Sequence, residues 1–265
     1  MIRVCLAGAT GWTGSALVAA IGESPAFTLS GAVARKAAGQ DLGAALGRAP
    51  LGLRVSATVA DALRAGADVL IDYSHPTAVK GHVLAALAAG VPAVIGTSGL
   101  TSRDFEAIEA IARERGLGVI ASGNFSITAA LAKHCSLLSA KYLPFREILD
   151  YAQPDKPDVP SGTARELAEC LAQVRPTEIL KPVAELLGPQ EARGAAVAGT
   201  QVHSLRLPGY TLAFETVFGL PDERLTIRHD AGTSARPYVA GTLLAAERAL
   251  SLKGLIRGLD TLLFQ

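Results

Sequence analysis

Residues 2–14, IRVCLAGATGWTG, decide the fold of this chain. The apolar run 2–7 ends at Gly8, and glycine returns at every third position up to Gly14. Helical spacing of apolar residues follows over about 13–21. A buried strand, a tight glycine turn and a helix, in that order, are the opening unit of many α/β folds.

The rest of the first half continues this alternation. Predicted strands lie at 28–34, 54–55, 68–72, 92–96 and 117–121, and predicted helices at 77–89 and 102–115. Nearly continuous apolar strands separated by helices indicate a parallel sheet covered on both faces. We therefore expect an α/β fold with an N-terminal Rossmann-type sheet, whose ligands bind beyond the carboxyl ends of the strands.

The second half has a different pattern. Apolar and polar residues alternate over 146–152, 199–207, 211–218 and 224–230. Alternation of this kind is typical of half-buried strands and predicts a second, α+β domain built on a mixed open sheet. A helix is predicted from Ala164, and helical spacing returns over 236–252. The switch between the two halves is predicted near Asn124 and Phe125.

Composition excludes several classes of protein. The 265 residues are 49% hydrophobic with a net charge of +1, which suits two modest domains and favours neither nucleic acid nor a membrane surface. Cys5, Cys135 and Cys170 stand far apart, so we expect no disulfide framework and no zinc site. No apolar run is long enough to span a bilayer, and a strand-like start at Ile2 leaves no room for a signal peptide. These features predict a cytoplasmic protein without a metal.

The glycine turn predicts a dinucleotide site. Gly8 and Gly11 would allow a tight turn and a close approach of pyrophosphate to the helix N-terminus, where Trp12 and Thr13 follow. The spacing is G-x-x-G-x-x-G rather than the stricter G-x-G-x-x-G, so a purely structural turn is the alternative. Trp12 would either stack on the cofactor or pack against the rim.

Basic residues follow the second strand. Arg35 and Lys36 stand where an acidic residue would bind the ribose hydroxyls of NAD, and Asp41 is the first acidic residue beyond them. Two cations suit the additional phosphate of NADP, whereas a solvated surface pair is the alternative. We therefore expect NADPH as the cofactor, with NADH as the second choice.

Small and polar residues follow three further strands of the sheet. They are Tyr73 with Ser74, Gly96 with Thr97 and Ser98, and Asn124 with Phe125. Small residues would let a flat nicotinamide approach the backbone, and polar side chains could bond its carboxamide. Ordinary loop chemistry explains any one of these sequences, but all three are predicted on the rim that carries the glycine turn.

A candidate substrate site lies in the second half. Residues 160–164, PSGTA, precede a helical pattern and predict a helix start. Such a start offers unpaired N–H groups and partial positive charge, which suit a carboxylate or a phosphate. Lys156, four residues upstream, would add a cation and a proton donor, although an exposed loop lysine is the alternative. We expect a small anionic substrate.

These motifs together resemble the dihydrodipicolinate reductase (4-hydroxy-tetrahydrodipicolinate reductase) family of lysine biosynthesis. The likeness covers nearly the whole chain. Its most specific element is the Lys-x-Asp-x-Pro-Ser-Gly-Thr-Ala string that runs from Lys156 to Ala164. Further likeness is carried by the glycine turn 8–14, IDYS at 71–74, GTSG at 96–99, NFS at 124–126, SLR at 204–206, and the final KGL at 253–255.

The resemblance implies a domain plan and an activity. Residues 1–124 would bind the dinucleotide, 125–232 would bind substrate and form the oligomer, and 233–265 would be helices that return to the first domain. Hydride would pass from NAD(P)H to a cyclic imine with two carboxylates, and the protein would be a homotetramer. Lys156 would be the catalytic cation, while the substrate would contact Gln153, Ser161, Gly162 and Thr163.

Several positions depart from the family pattern. Two adjacent histidines, one of them a proton donor, are replaced by Ala152 and Gln153, and no histidine lies between residues 145 and 162. The arginine that the family carries in its glycine turn is replaced by Trp12, and a histidine expected in its late strands is replaced by Phe214. Loss of a general acid typically costs ~10²–10⁴-fold in rate, so another group would supply the proton. The candidates are Lys156, Tyr151, Asp155 or water.

Three alternatives stay open at the level of sequence. One is a reductase of a different imino or oxo acid, and another is a non-catalytic dinucleotide-binding homologue. The third is a short-chain dehydrogenase, whose Tyr-x-x-x-Lys pair would place a lysine four residues after Tyr151. Asp155 stands there and Lys156 comes one position late, which weakens this alternative. His75 and His82, near a predicted helix start, are expected to be surface groups.

Overall fold

The computed structural model describes residues 1–264. The chain divides into two compact units, the first formed by residues 1–127 with 235–265 and the second by 128–234. The strands are β1 (Ile2–Ala7), β2 (Phe27–Val33), β3 (Val55–Ser56), β4 (Val69–Asp72), β5 (Ala93–Ile95), β6 (Gly118–Ala121), β7 (Phe145–Ala152), β8 (Ala195–Val197), β9 (Thr200–Arg206), β10 (Leu212–Leu220), β11 (Glu223–Ala231) and β12 (Gly254–Arg257). The α-helices are α1 (Trp12–Glu23), α2 (Leu42–Ala45), α3 (Val59–Leu63), α4 (Val79–Ala88), α5 (Ser102–Arg115), α6 (Ile127–Ala140), α7 (Gly162–Val174), α8 (Arg236–Ala249) and α9 (Leu259–Phe264).

The first unit contains the predicted Rossmann-type sheet. Seven strands lie in the order β12-β6-β5-β4-β1-β2-β3, and every pairing is parallel. All residues of β4 and β6 are buried, which explains why, apart from Asp72 at the end of β4, their sequences are apolar without alternation. The prediction of a parallel sheet with both faces covered is confirmed.

Helix α5 shows how local sequence sets an element's bounds. Thr101 and Asp104 form a reciprocal capping box at its start, with the Thr101 Oγ1 atom accepting from the Asp104 N–H. Gly116 ends the helix in the left-handed region at φ +64°, where a side chain would be strained. The predicted bounds 102–115 therefore agree with the structure.

The second unit contains the predicted mixed sheet. Five strands lie in the order β11-β10-β7-β9-β8, with β7 and β9 parallel and the other pairs antiparallel. One sheet face packs through Ile148, Phe214 and Phe218 against apolar residues of α6 and α7. This one-sided burial produces the alternation in the sequence.

Five elements were not predicted, namely the short α2, α3 and β8 together with α6 and β12. Helix α6 follows the switch region directly, and its alanine-rich sequence gives weak contrast between its buried and exposed faces. Strand β12 lies inside the C-terminal segment that was predicted as helices alone. It pairs with β6 at the sheet edge, and four residues are too few for a periodic signal.

Candidate functional site

The glycine turn packs too closely for side chains. A Cβ atom on Gly8, at φ +81°, would lie 2.1 Å from the Tyr73 carbonyl oxygen, and one on Gly14 would lie 2.0 Å from the Gly8 oxygen. Helix α1 then begins after Gly11, and within residues 1–264 no side chain caps its first N–H groups. An uncapped helix start behind a glycine turn fits a pyrophosphate, so the residues present suit a dinucleotide.

The predicted phosphate cations lie next to this turn. The Gly8 and Ala9 N–H groups donate to the Val33 carbonyl oxygen at the end of β2, at 2.9 and 3.3 Å. Arg35 and Lys36 follow in a short 3₁₀ turn and are both exposed. Asp41, the first acidic residue after β2, instead accepts the Ala44, Leu51 and Gly52 N–H groups.

A cavity of about 180 Å³ brings several predicted residues of the first unit together. Its lining combines the glycine turn with three strand ends and one unexpected aromatic residue, namely Trp12, Thr13, Tyr73, Gly96, Ser122, Gly123, Phe125 and Tyr238. Trp12 is 55% exposed and packs edge-on to Tyr238, with ring centroids 5.8 Å apart. Tyr238 lies in α8, and no local motif marks it as a neighbour of residue 12.

Tyr73 forms a fixed wall of the cavity. Its hydroxyl is 2.7 Å from the Thr242 Oγ1 atom, and its ring packs edge-on to Phe125. A Cβ on Gly96 would lie 2.2 Å from the Tyr73 ring, so that glycine is required by packing. Burial raises the pKa of Tyr73, which keeps its phenol neutral near pH 7.

A buried carboxylate organises two of the strand-end loops. Asp72 Oδ1 accepts the Ser74 and Thr97 hydroxyls, both at 2.7 Å, and the Ser74 N–H at 2.9 Å. Asp72 Oδ2 lies 2.7 Å from His82 Nδ1, and since a carboxylate only accepts, that nitrogen carries the proton. Burial opposes ionisation, but the bonds from His82, Thr97 and Ser74 outweigh it and hold the pKa of Asp72 below its ordinary value.

This network corrects two predictions. The hydroxyl hydrogens of Ser74 and Thr97 are directed to Asp72, so they do not serve as donors to a carboxamide in this structure. His82 is half-buried and bonded rather than a surface group, whereas His75 is exposed. Asn124 Oδ1 accepts the Ser126 N–H at 2.8 Å and so holds its own loop, and Ser98 is exposed.

In the second unit, Ser161 begins helix α7 as predicted. Its Oγ atom accepts the Ala164 N–H at 3.3 Å, and the residue is 3% exposed. Its own N–H donates to Asp150 Oδ2 at 2.8 Å, and Asp150 is held in turn by the Arg206 guanidinium at 2.8 Å. The Ser161 amide is therefore not available to a ligand here, which corrects that part of the prediction. Gly162 is exposed and Thr163 is half-buried.

Lys156 is held close to the same helix start. Its Nζ atom lies 2.7 Å from Asp158 Oδ1, and its side chain is 27% exposed. The Gly162 N–H donates to the other oxygen of that carboxylate, Oδ2, at 3.3 Å. Gln153 is exposed and opens the turn, since its carbonyl oxygen accepts the Lys156 N–H at 3.2 Å. The structure thus brings the lysine and the helix start to one carboxylate.

Tyr151 is directed away from this group. Successive side chains of a strand point to opposite faces, and Asp150 faces the start of α7. Tyr151 lies on the other face, where its hydroxyl donates to Glu215 Oε2 at 3.2 Å. Burial and the Glu215 charge raise the pKa of Tyr151. These contacts remove Tyr151 from the candidate proton donors, whereas Asp155 is exposed beside Lys156.

Ala152 and Phe214, two of the residues predicted to depart from the family pattern, are both buried in the second unit. Ala152 is fully buried at the end of β7, where it pairs with Leu212. Phe214 is buried and packs against His229, with ring centroids 5.6 Å apart. Burial lowers the pKa of His229, whose Nε2 atom lies 3.1 Å from the Thr128 hydroxyl.

A larger cavity in the second unit lies elsewhere. It has a volume of about 790 Å³ and is bordered by residues such as Glu147, Arg193 and Val217. Among the described residues that line it, none is a predicted substrate contact. Within residues 1–264 no group of histidine, cysteine or carboxylate side chains could hold a metal. In the same range, no helix combines the length and apolarity that a membrane span requires.

Comparison with known proteins identifies the family. The pattern described as "Dihydrodipicolinate reductase, N-terminus" matches residues 2–125, and its C-terminal counterpart matches 125–263. The 4-hydroxy-tetrahydrodipicolinate reductase of Thermosynechococcus vestitus is 37% identical over 99% of this chain and 97% of the relative. That of Geobacillus kaustophilus is 36% identical over 99% of both.

Solved structures agree with this assignment. A dipicolinate-bound dihydrodipicolinate reductase from Paenisporosarcina sp. TG-14 has a TM-score of 0.88 and 30% identity, covering 98% of this chain and 99% of that one. An amine dehydrogenase from Mycobacterium smegmatis, with a TM-score of 0.67 and 16% identity over 98% of this chain and 95% of that one, shares the fold alone. Both halves of the sequence and the fold therefore lead to one conclusion: the chain belongs to the dihydrodipicolinate reductase family.

Proposed function

We propose that this chain is an NAD(P)H-dependent reductase of a small cyclic imine that bears carboxylates. The activity is that of a 4-hydroxy-tetrahydrodipicolinate reductase, serving lysine and diaminopimelate synthesis in the cytoplasm. One observation carries the proposal: Lys156 lies at the start of α7 in a geometry that already binds a carboxylate. Full-length likeness to relatives of that name supports the same activity.

The first unit is proposed to bind the cofactor, which supplies the hydride. The uncapped start of α1 behind Gly8 and Gly11 would receive the pyrophosphate, and the cavity beside Trp12 and Tyr73 would receive the nicotinamide end. Exposed Arg35 and Lys36 favour NADPH over NADH, because they can pair with its additional phosphate. Asp41, the first acidic residue after β2, is bonded within its own loop rather than placed to bind the ribose hydroxyls of NADH. Thr13, Gly96, Ser98 and Phe125 are further proposed contacts, as are the backbones of Ser74, Thr97 and Asn124.

The second unit is proposed to bind the substrate. Gly162 and Thr163 would donate backbone N–H groups to one carboxylate, Lys156 would pair with it, and exposed Gln153 would add a hydrogen bond. Ser161 contributes by capping the helix that presents these groups. All the predicted substrate residues keep a place in this proposal, but Ser161 caps the helix instead of contacting the substrate.

The proton is proposed to come from Lys156. Ala152 cannot transfer a proton, Gln153 can only hydrogen-bond, and Tyr151 lies on the other face of the sheet. A lysine ammonium carries three N–H donors, and that of Lys156 already pairs with a carboxylate at this helix start. Asp155 and water are the alternatives, and Lys156→Ala distinguishes them from lysine by its effect on kcat.

The test is NADPH oxidation by the purified protein with freshly generated 4-hydroxy-tetrahydrodipicolinate. Turnover that is abolished by Lys156→Ala, with NADPH affinity unchanged, is the expected result. Unchanged turnover in that variant would refute the role of the lysine. NADPH binding without turnover would refute the activity and favour the non-catalytic homologue.

A second candidate function rests on Ala152 and Gln153. Because these residues replace the histidine pair, a reductase of a different imino or oxo acid with the same anion site is the competing proposal. A panel of cyclic imino acids and 2-oxo acids, assayed under the same conditions, separates the two. Higher kcat/KM on any panel member than on 4-hydroxy-tetrahydrodipicolinate would favour the second candidate.

A homotetramer formed through the second unit is also proposed. The face of the mixed sheet opposite the helices carries Tyr151 and Glu215, with the Arg228 guanidinium 4.9 Å from the centre of the Tyr151 ring. This ordered polar face offers a surface for a second sheet. Light scattering on the purified protein tests it, since a monomeric mass at micromolar concentration would refute the assembly.

A further inference from the structure

The Asp158 carboxylate makes two of the contacts that the proposed function assigns to the substrate, those with Lys156 and Gly162. Its Oδ1 atom lies 2.7 Å from Lys156 Nζ, and its Oδ2 atom accepts the Gly162 N–H at 3.3 Å. One oxygen thus faces the cation and the other faces the helix start. A substrate carboxylate bound to the same two groups would have to occupy the same space.

We propose that Asp158 is an internal competitor that a substrate carboxylate must displace from Lys156 and Gly162. This inference rests on the proposed function. It adds a regulatory element to that site: in the free protein a residue of the chain neutralises the lysine and occupies the helix start. Binding is then an exchange of one carboxylate for another.

The contacts around Asp158 favour such an exchange. Its backbone is fixed, because the Asp158 carbonyl oxygen accepts from Arg206 Nη2 at 2.7 Å. Its side chain is 43% exposed, so the carboxylate can rotate into water without moving the chain. The 3.3 Å bond to Gly162 is long for a charge-assisted hydrogen bond, which is typical of a contact that is readily lost.

Asp150 provides a contrast within the same structure. Its carboxylate also accepts an N–H from the start of α7, but it is 1% exposed and bonded to Arg206 and Ser204 Oγ. That carboxylate is a permanent part of the framework. The two aspartates therefore divide the start of α7 into a fixed contact at Ser161 and an exchangeable one at Gly162.

A purely structural ion pair makes the opposite prediction. If Asp158 only orders the loop, its loss would loosen Lys156 and weaken ligand binding. If it competes, its loss would strengthen ligand binding. Tighter binding is a result that damage to the fold does not produce.

The experiment measures the Kd of pyridine-2,6-dicarboxylate for the NADPH-saturated protein by titration calorimetry. Asp158→Asn is expected to bind this ligand about three- to tenfold more tightly than wild type, since a partly exposed ion pair is a modest competitor. Asp155→Asn is the matched control. It removes the same charge one residue from Lys156, yet within residues 1–264 Asp155 has no contact with that ammonium. We expect a change below about twofold for the control.

The outcomes separate this inference from the function on which it rests. Wild-type binding with equal or weaker binding by Asp158→Asn refutes the competitor alone. No binding by either protein refutes both proposals. Equal tightening by the two variants also refutes the competitor, because general charge would then be the cause. Asp158→Ala is a second variant for the case that Asp158→Asn does not fold.

Discussion

Replacing Asp72 provides a graded test of how the first unit holds its loops. The fully buried carboxylate receives four hydrogen bonds, three at Oδ1 from Ser74 and Thr97 and one at Oδ2 from His82. Asparagine keeps an oxygen for the first three. Its amide can donate to His82 Nδ1 once the imidazole proton moves to the other nitrogen. Leucine has nearly the same shape and satisfies none of the four donors.

The expected cost follows from these bonds. Asp72→Asn loses the charge assistance but leaves every donor paired, so we expect about 1–2 kcal/mol of destabilisation. Asp72→Leu leaves the donors of Ser74, Thr97 and His82 without their acceptor. At about 1–3 kcal/mol for each buried unsatisfied group, with rotation of the hydroxyls relieving part, we expect about 4–6 kcal/mol. That is a large share of the ~5–15 kcal/mol that stabilises a typical protein.

Fluorescence of Trp12 makes the measurement specific to the first unit. The chain has one tryptophan, and it lies in α1. Urea unfolding followed at this residue gives the free energy of unfolding for wild type and both variants. An exposed substitution, Asp155→Asn, is the control and should lie within about 0.5 kcal/mol of wild type. Equal costs for the asparagine and leucine variants would refute the hydrogen-bond reasoning.

The same variants carry a pH signature. The pKa of Asp72 is lowered in the folded state, so its ionised form adds stability above the unfolded pKa, near ~3.9, and this stability is lost as pH falls through the folded value. The difference between wild type and Asp72→Asn should therefore be constant from pH 8 to about pH 5 and shrink below about pH 4. A difference that grows on acidification would contradict the lowered pKa.

Three further predictions concern the glycine turn, the cofactor and the proton. Gly8→Ala should lower the free energy of unfolding by about 3 kcal/mol or more, because Gly8 has φ +81° and an added Cβ would lie 2.1 Å from a carbonyl oxygen. Gly22→Ala, on the open side of α1, should raise it by about 0.5–1 kcal/mol. Equal urea midpoints for the two variants would contradict this reasoning. Arg35→Ala should raise the KM for NADPH about tenfold and leave that for NADH nearly unchanged in steady-state assays, and parallel changes would refute the phosphate contact. Gln153→His should raise kcat about tenfold and add a limb near pH ~6.5 to the pH profile, because an exposed imidazole there can donate the proton; an unaltered profile would count against it.

At the proposed substrate site, the charged groups and the packing around them are closely linked. The cap at Ser161, the fixed carboxylate of Asp150 and the guanidinium of Arg206 hold the start of α7 in place. Gly162 and Lys156 are presented from that frame, with Asp158 between them. Under the proposal, a carboxylate ligand would meet a lysine that Asp158 already neutralises, which favours exchange over simple addition.

Much of this protein was determined by its sequence alone. Most of the strands and longer helices, the parallel first sheet, the mixed second sheet and the family all follow from periodicity and short motifs. Such signals depend on residues within about one helical turn of each other, as in the cap at Thr101 and Asp104. Neighbouring residues carry them, so they can be recognised before any packing is known.

Tertiary structure decided what those residues do. Tyr238 reaches Trp12 from the far end of the chain, β12 completes the sheet edge, and Tyr151 faces away from Lys156. Donors at Thr97 and Ser161 are directed to the buried carboxylates of Asp72 and Asp150, which lie 25 and 11 residues away in the sequence. A hydrogen bond depends on which groups packing brings within about 3 Å, and that is set by strand order and sheet face rather than by position along the chain.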